Sequence, residues 1–246
     1  RCQNKYNFNY RKLIKQLPQK TDAIKILSLS QTEKELVLVL NPTIDYKKLQ
    51  NKTFNFSPLE SEVILNKMMC NAKTFHDDEV AQGIVFPQDF LNKKTSEKLS
   101  AYPKGTGVFC LTNKELLSLN LSDKEYTLIK PYFTSKQISR YLVDSRNDLW
   151  LIYTDSSFNK EDSLNSFPNL KSHLDKFQDV ITSSNKPYGL HRARDISFFQ
   201  GEKIISQRKC PEQVCFSYSD FDTFISQTYF SIKTTRFNMK FLTGLL

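Results

Sequence analysis

Residues 186–209 read Lys-Pro-Tyr-Gly-Leu-His-Arg-Ala-Arg-Asp-Ile-Ser-Phe-Phe-Gln-Gly-Glu-Lys-Ile-Ile-Ser-Gln-Arg-Lys. Pro187 and Gly189 open the stretch as a loop, because one fixes its backbone and the other frees it. Lys203–Ser206 closes it as a short strand. Lys186, Arg192, Arg194, Lys203, Arg208 and Lys209 face only Asp195 and Glu202 as opposing charges. Tyr188, His191, Phe198 and Phe199 are interleaved with them. Arginine makes bidentate contacts with guanine or phosphate, and lysine supplies a point charge. Leu190 or Ala193 would anchor such a loop and leave the charged side chains in solvent. Arg192 and Arg194 point to the same side if the backbone is extended and diverge if it is helical. The plainer reading makes Phe198 and Phe199 core residues, with the arginines paired to Asp195 or Glu202.

Downstream, Val214–Tyr218 alternates through Val214, Phe216 and Tyr218 and reads as a strand, as does Ile225–Ile232. Phe237–Leu246 reads as a last helix. Upstream, Thr112-Asn-Lys-Glu115 and Ser122-Asp-Lys-Glu125 both fit the capping box that starts a helix. Leu149–Tyr153 is a strand with Trp150 and Ile152 on one face. Phe167, Leu170, Leu174 and Phe177 recur at helical spacing, with Pro168 at the first helical position. The pattern predicts an α+β domain of mixed or antiparallel sheets and short helices.

The N-terminal part reads differently, and the boundary falls near residue 80. There, Tyr10–Leu17 suggests a short helix stopped by Pro18. Ile24–Leu29 and Leu36–Leu40 suggest a hairpin. Ser57-Pro-Leu-Glu60 suggests a helix start, with the helix running to about Asn71. This gives a smaller α/β connector over residues 1–79 and a larger domain over residues 80–246, packed together because no Gly/Ser linker separates them.

The 246 residues carry a net charge of +9, which suits a polyanion partner but fits equally a solvated, lysine-rich surface. No signal peptide opens the chain and no apolar run is of membrane-span length. Arg1, rather than Met, stands first, as in a piece of a longer protein. Five widely spaced cysteines imply free thiols in a reducing cytoplasm. Cys210 and Cys215 form the only close pair, and without further ligands they make a poor zinc site.

The motifs of catalysis are missing. There is no phosphate-binding glycine loop, no dinucleotide fingerprint and no nucleophile elbow. His76, His173 and His191 are the only histidines, with no metalloprotease spacing; His173 lies beside the apolar stripe of its helix and reads as a packed or surface residue. Glu202-Lys203 could end a degenerate nuclease motif. Asn41-Pro42-Thr43 lacks the second proline and the aromatic of the adenine-methylase signature Asn-Pro-Pro-Tyr, and reads as a turn. The chain is expected to catalyse nothing by itself.

Lys186-Pro-Tyr-Gly-Leu-His-Arg-Ala-Arg194 followed by Phe199-Gln-Gly-Glu-Lys-Ile-Ile205 resembles the TaqI-like C-terminal specificity domain. That domain occurs in adenine-specific DNA methyltransferases and in the type IIG enzymes of bacterial restriction-modification. Gly83-Ile-Val85, Gly107–Thr112 with Ile129-Lys-Pro-Tyr132, Ile138-Ser-Arg-Tyr141 and Trp150–Tyr153 resemble its earlier blocks in the same order. The resemblance covers about residues 80–246. It implies recognition of double-stranded DNA by Lys136, Arg140, Lys186, Tyr188, His191, Arg192, Arg194, Lys203, Arg208 and Lys209. It also implies that S-adenosylmethionine and the methyltransferase core belong to sequence before Arg1, so that this piece holds no cofactor. An RNA-binding module that stacks single-stranded bases on Tyr188 or His191, and a non-catalytic assembly domain, stay open beside it.

Overall fold

The computed structural model describes residues 72–209 and 214–246, together with residues 5–7, 10–13, 37–40, 43–45, 63–64, 67–68 and 70. The chain divides into two compact units, residues 1–74 and 75–246. In the first, β1 (Lys5–Asn7) pairs antiparallel with β4 (Thr43–Asp45), and β2 (Tyr10–Leu13) with β3 (Val37–Leu40). Tyr10–Leu13 is therefore extended rather than helical. The apolar Val37–Leu40 run gives it a non-local ladder partner, and pairing of this kind overrides a short local pattern. The expected partner of that run, Ile24–Leu29, lies outside the described residues, as do Asn41-Pro42 and the helix start at Ser57–Glu60. Residues 63–64, 67–68 and 70 are helical.

The second unit is α+β, with two sheets and short helices. Its elements are β5 (Val80–Gln82), α1 (Lys93–Lys98), β6 (Cys110–Thr112), α2 (Asn113–Ser118), α3 (Asp123–Tyr126), β7 (Ile129–Phe133), β8 (Tyr141–Leu142), β9 (Leu149–Ile152), α4 (Pro168–Asp175), β10 (Lys203–Gln207), β11 (Phe216–Ser219), β12 (Phe224–Ile225), β13 (Tyr229–Ile232) and α5 (Met239–Leu245). One sheet has five strands in the order β5-β13-β10-β11-β8, and the other four in the order β12-β7-β9-β6. Most neighbours are antiparallel; β8 on β11 and β12 on β7 are parallel.

Alternation along β10 shows how the layers form. Ile205 joins the main core with Phe199, Phe224, Ile225 and Tyr229. Its neighbour Ile204 points to the opposite face, as period-two geometry requires. There it packs with Tyr218, Ile232 and Met239 of α5. The main core is rich in aromatic side chains, with Phe109, Phe133, Phe177, Phe199 and Phe224 fully buried.

Ile225–Ile232 is not one strand. It breaks at Ser226–Thr228, where the Ser226 and Thr228 hydroxyls bond at 2.6 Å and the Tyr229 amide donates to the Ser226 carbonyl. The break lets β12 serve the four-stranded sheet and β13 the five-stranded one. Gly83 crosses beside this turn so closely that a Cβ there would lie 2.2 Å from the Ser226 carbonyl oxygen. A side chain at position 83 has no room.

Both capping boxes form, at Thr112 with Glu115 and at Ser122 with Glu125. Glu125 does more than close its own box. Its carboxylate also accepts from the amides of Asn169 at 2.7 Å and Leu170 at 3.1 Å. One buried carboxylate thus caps two helices, α3 and α4. Pro168 stands at the start of α4, and Leu170, His173 and Leu174 are its buried residues. His173 is packed, its Nε2 2.9 Å from the Val108 carbonyl.

Candidate nucleic-acid interface

The strand register of the five-stranded sheet sorts charge by end. Gln207 of β10 stands opposite Tyr229 of β13, and Gln82 of β5 opposite Phe230. Ser206 stands opposite Phe216 of β11, and Ser217 opposite Tyr141 of β8. The C-terminal ends of β5 and β10 and the N-terminal ends of β8, β11 and β13 therefore share one end of the sheet. The chain leaves or enters that end at Gln82-Gly83, Arg208-Lys209, Ser139-Arg140 and Gln227-Thr228. No described residue of these segments carries a carboxylate. Arg208, Lys209 and Arg140 are all exposed there.

The opposite end is acidic. Lys203 pairs with Ser219, so that Glu202 and Asp220 follow at the rim, and the Lys233 amide donates to the Glu79 carbonyl. Asp77 and Asp78 lead into the same end. The Glu79 carboxylate accepts from Arg236 and Thr234. The Arg236 contact, outweighing the opposing effect of burial, holds that carboxyl down at about 2.

The loop before β10 extends the basic end. Arg192 exchanges both backbone hydrogen bonds with Val85, three residues beyond Gln82, and its side chain is exposed. Leu190 and Ala193 are buried and anchor the loop. Arg194 departs from the extended path. Its φ of 68° lies in the left-handed region. The turn tucks its guanidinium partly inside, where an Nη donates to Gln82 Oε1 at 3.0 Å. Its Nε is buried without an acceptor. Burial, and next the charge of Arg192, lower its basicity. The expected pair of side-by-side guanidiniums is thus one exposed arginine and one half-sheltered arginine. Neither pairs with Asp195 or Glu202: the Asp195 carboxylate caps the Ser197 amide, and Glu202 accepts from the Tyr218 hydroxyl.

Two residues of the expected set are not at the surface. Lys203 is fully buried, and its ammonium donates to the carbonyls of Gly201 and Phe221, both at 2.6 Å. Burial pulls its pKa down to about 7. It stitches the Gly201 turn to the Phe221 turn and has no path to a phosphate. Tyr188 is buried as well. Its hydroxyl donates to Asp175 at 2.7 Å and its carbonyl accepts from Thr154. Phe199 is core and Phe198 is half-buried.

Lys186 is exposed and His191 half-exposed, with the His191 Nδ1 3.4 Å from the Ser184 hydroxyl. Lys136 is exposed beside Ser135, whose side chain hydrogen-bonds the Tyr229 hydroxyl. Tyr141, named in the sequence only as the end of the Ile138–Tyr141 block, and Leu142, not singled out there, are 49% and 62% exposed at the edge of the same sheet.

The described residues hold no cluster of three or more metal-ligating side chains. Among them, Cys70, Cys110 and Cys215 are free thiols. Cys210, the partner considered for Cys215, lies outside the described residues. No described helix is long and apolar enough to cross a membrane.

No protein-family model matches the sequence, and no curated protein matches it. Among solved structures, the chain is similar to one of the type IIL restriction-modification enzyme MmeI, determined in complex with DNA. The TM-score is 0.42 at 12% sequence identity, over 64% of this chain and 19% of that one.

Proposed function

We propose that the chain is a target-recognition module that holds duplex DNA against the basic end of its five-stranded sheet. It would serve an adenine-specific methyltransferase of the restriction-modification type. The observation that carries this reading is the sorting of charge by strand register. Arg140, Arg192, Arg208 and Lys209 gather at one end, while Asp77, Asp78, Glu79, Glu202 and Asp220 lie at the other, beside Lys233 and Arg236. A dipolar sheet of this kind orients an approaching polyanion before contact. Exposed lysines would set position on the phosphates, and Arg192 and Arg194 would reach base edges.

Methyl transfer and S-adenosylmethionine belong, in this reading, to a core encoded before Arg1. An upstream frame without the Asn-Pro-Pro-Tyr signature would contradict that half of it. The single-strand alternative relied partly on Tyr188 as a stacking platform, and that ring is committed to Asp175.

Titrating the chain with duplex DNA, single-stranded RNA and no ligand tests the function directly. Duplex binding is expected, with a log–log salt slope of about −3 to −4 for roughly four phosphates engaged. Absence of duplex binding at low salt, or tighter binding of RNA, would overturn the proposal.

A further inference from the structure

Ser139 to Leu142 forms a tight turn at the outer edge of the five-stranded sheet. The Ser139 amide donates to the Leu142 carbonyl at 3.3 Å, and Ile138 bridges Val143 behind it. Three features of this turn do not serve the fold. Tyr141 has a φ of 76°, a left-handed conformation that a bulky aromatic rarely adopts. Tyr141 and Leu142 stand largely in solvent, although each could bury a large apolar surface. The Arg140 guanidinium sits 4.9 Å from the centre of the Tyr141 ring and brings positive charge to the apolar tip.

Strain of this kind persists where the surroundings impose it, and it clusters at functional sites. Here the turn is pinned from behind. The Ser217 hydroxyl donates to the Ser139 carbonyl, and β8 pairs with β11. The tip therefore stands on a rigid base, at the edge of the sheet whose near end carries Arg208 and Lys209, and its two side chains border a shallow hollow with Asp220, Lys240 and Thr243.

We propose that Tyr141 and Leu142 form an apolar wedge that enters a base step of the bound duplex, with Arg140 meeting the adjoining phosphate. This rests on the duplex-binding reading above. A cationic rim around an apolar tip suits DNA, because side chains that unstack a step need phosphate contacts to hold the deformed duplex. The Tyr141 ring would stack on the base face it exposes, and Leu142 would fill the opened step.

A wedge works against stacking, so it prefers a step that is already weakened. The test compares the affinity of the chain for an intact duplex and for the same duplex with one central mismatch. This needs no knowledge of the recognition sequence. The wild-type chain is expected to bind the mismatched duplex about tenfold more tightly. Tyr141→Gly and Leu142→Ala should each erase most of that preference, Tyr141→Phe should keep it, and Arg208→Ala should weaken both duplexes alike.

Tyr141→Gly is the decisive variant because glycine accepts the left-handed backbone. Its fold should be at least as stable as the wild type, so a lost preference cannot be ascribed to unfolding. A wild-type chain that binds both duplexes equally, or a Tyr141→Gly chain that keeps the preference, overturns the wedge and leaves the duplex reading intact. A chain that binds neither duplex overturns the duplex reading, and the wedge with it.

Discussion

Replacing Glu125 with alanine is expected to destabilise the second unit by about 3–4 kcal/mol, among the larger effects a single side chain can have. Glu125 is fully buried, and its carboxylate accepts from the Ser122 amide and hydroxyl and from the amides of Asn169 and Leu170. Alanine leaves the Ser122 amide at the cap of α3 and the first-turn amides of α4 without their acceptor at once. Helix N-terminal amides have no intrahelical partner to fall back on. Glu125→Gln keeps one carbonyl oxygen and should cost less. A urea titration reads the effect as a lower midpoint at unchanged slope.

The same group sets an acid limit. Burial alone would raise its pKa, but the donors from Ser122, Leu170 and Asn169 outweigh it and bring it from 4.5 down to about 2. A depressed carboxylate contributes stability above its unfolded pKa and loses it as pH falls through the folded one. The wild type should therefore lose stability faster than Glu125→Gln between pH 4.5 and about 2. Equal acid sensitivity in the two chains would contradict the assignment.

The second large effect falls on Lys203. Lys203→Ala is expected to cost about 2–4 kcal/mol, through the cavity left by its stem and the unpaired Gly201 and Phe221 carbonyls. Lys203→Met keeps the packing and should cost about half as much. Neither should change duplex affinity beyond what unfolding explains, since the ammonium faces inward. Burial lowers the Lys203 pKa from 10.5 to about 7. Between those values the unfolded chain binds more protons than the folded one, so stability rises with pH. That rise should be present in the wild type and absent in Lys203→Met, with thermal melting across the same window as the measurement. A selective loss of duplex binding in a stably folded Lys203→Met would instead place the ammonium on the DNA.

The sequence was most legible where local chemistry decides the outcome. Thr112 with Glu115, Ser122 with Glu125 and Pro168 each mark a helix start within a few residues, and each is found there. Leu149–Ile152 is a strand because an apolar run of that length has few other uses, and Lys203–Gln207 is one around its β-branched Ile204-Ile205 pair. What could not be read was non-local. Tyr10–Leu13 is extended only because a run about 25 residues away pairs with it. The break at Ser226–Thr228 depends on which of two sheets each flanking strand joins.

The candidate site divides the same way. Arg192 and Arg208 are exposed as their polar surroundings suggest, but charge alone did not separate them from Lys203. Lys203 begins a strand whose first four residues are all buried. A lysine there must turn back to the turn carbonyls, and the sequence does not show that those carbonyls converge. Tyr188 follows the same logic: Asp175, thirteen residues earlier, supplies the acceptor that lets its hydroxyl go inside.

On the proposed reading, duplex binding depends on where the charge lies and not on its total. The most direct test compares two double charge reversals on one DNA duplex across a salt series. Arg192→Glu with Arg208→Glu alters the basic end, and the backbone of both residues is held by main-chain hydrogen bonds to Val85 and Thr228. Lys124→Glu with Lys176→Glu makes the same change of net charge on α3 and at the end of α4. The first pair is predicted to lose at least tenfold in affinity and to flatten the salt slope by about 2, while the second changes little. Equal losses in the two double variants would mean that DNA responds only to overall charge, and would contradict the assignment of the basic end as the DNA surface.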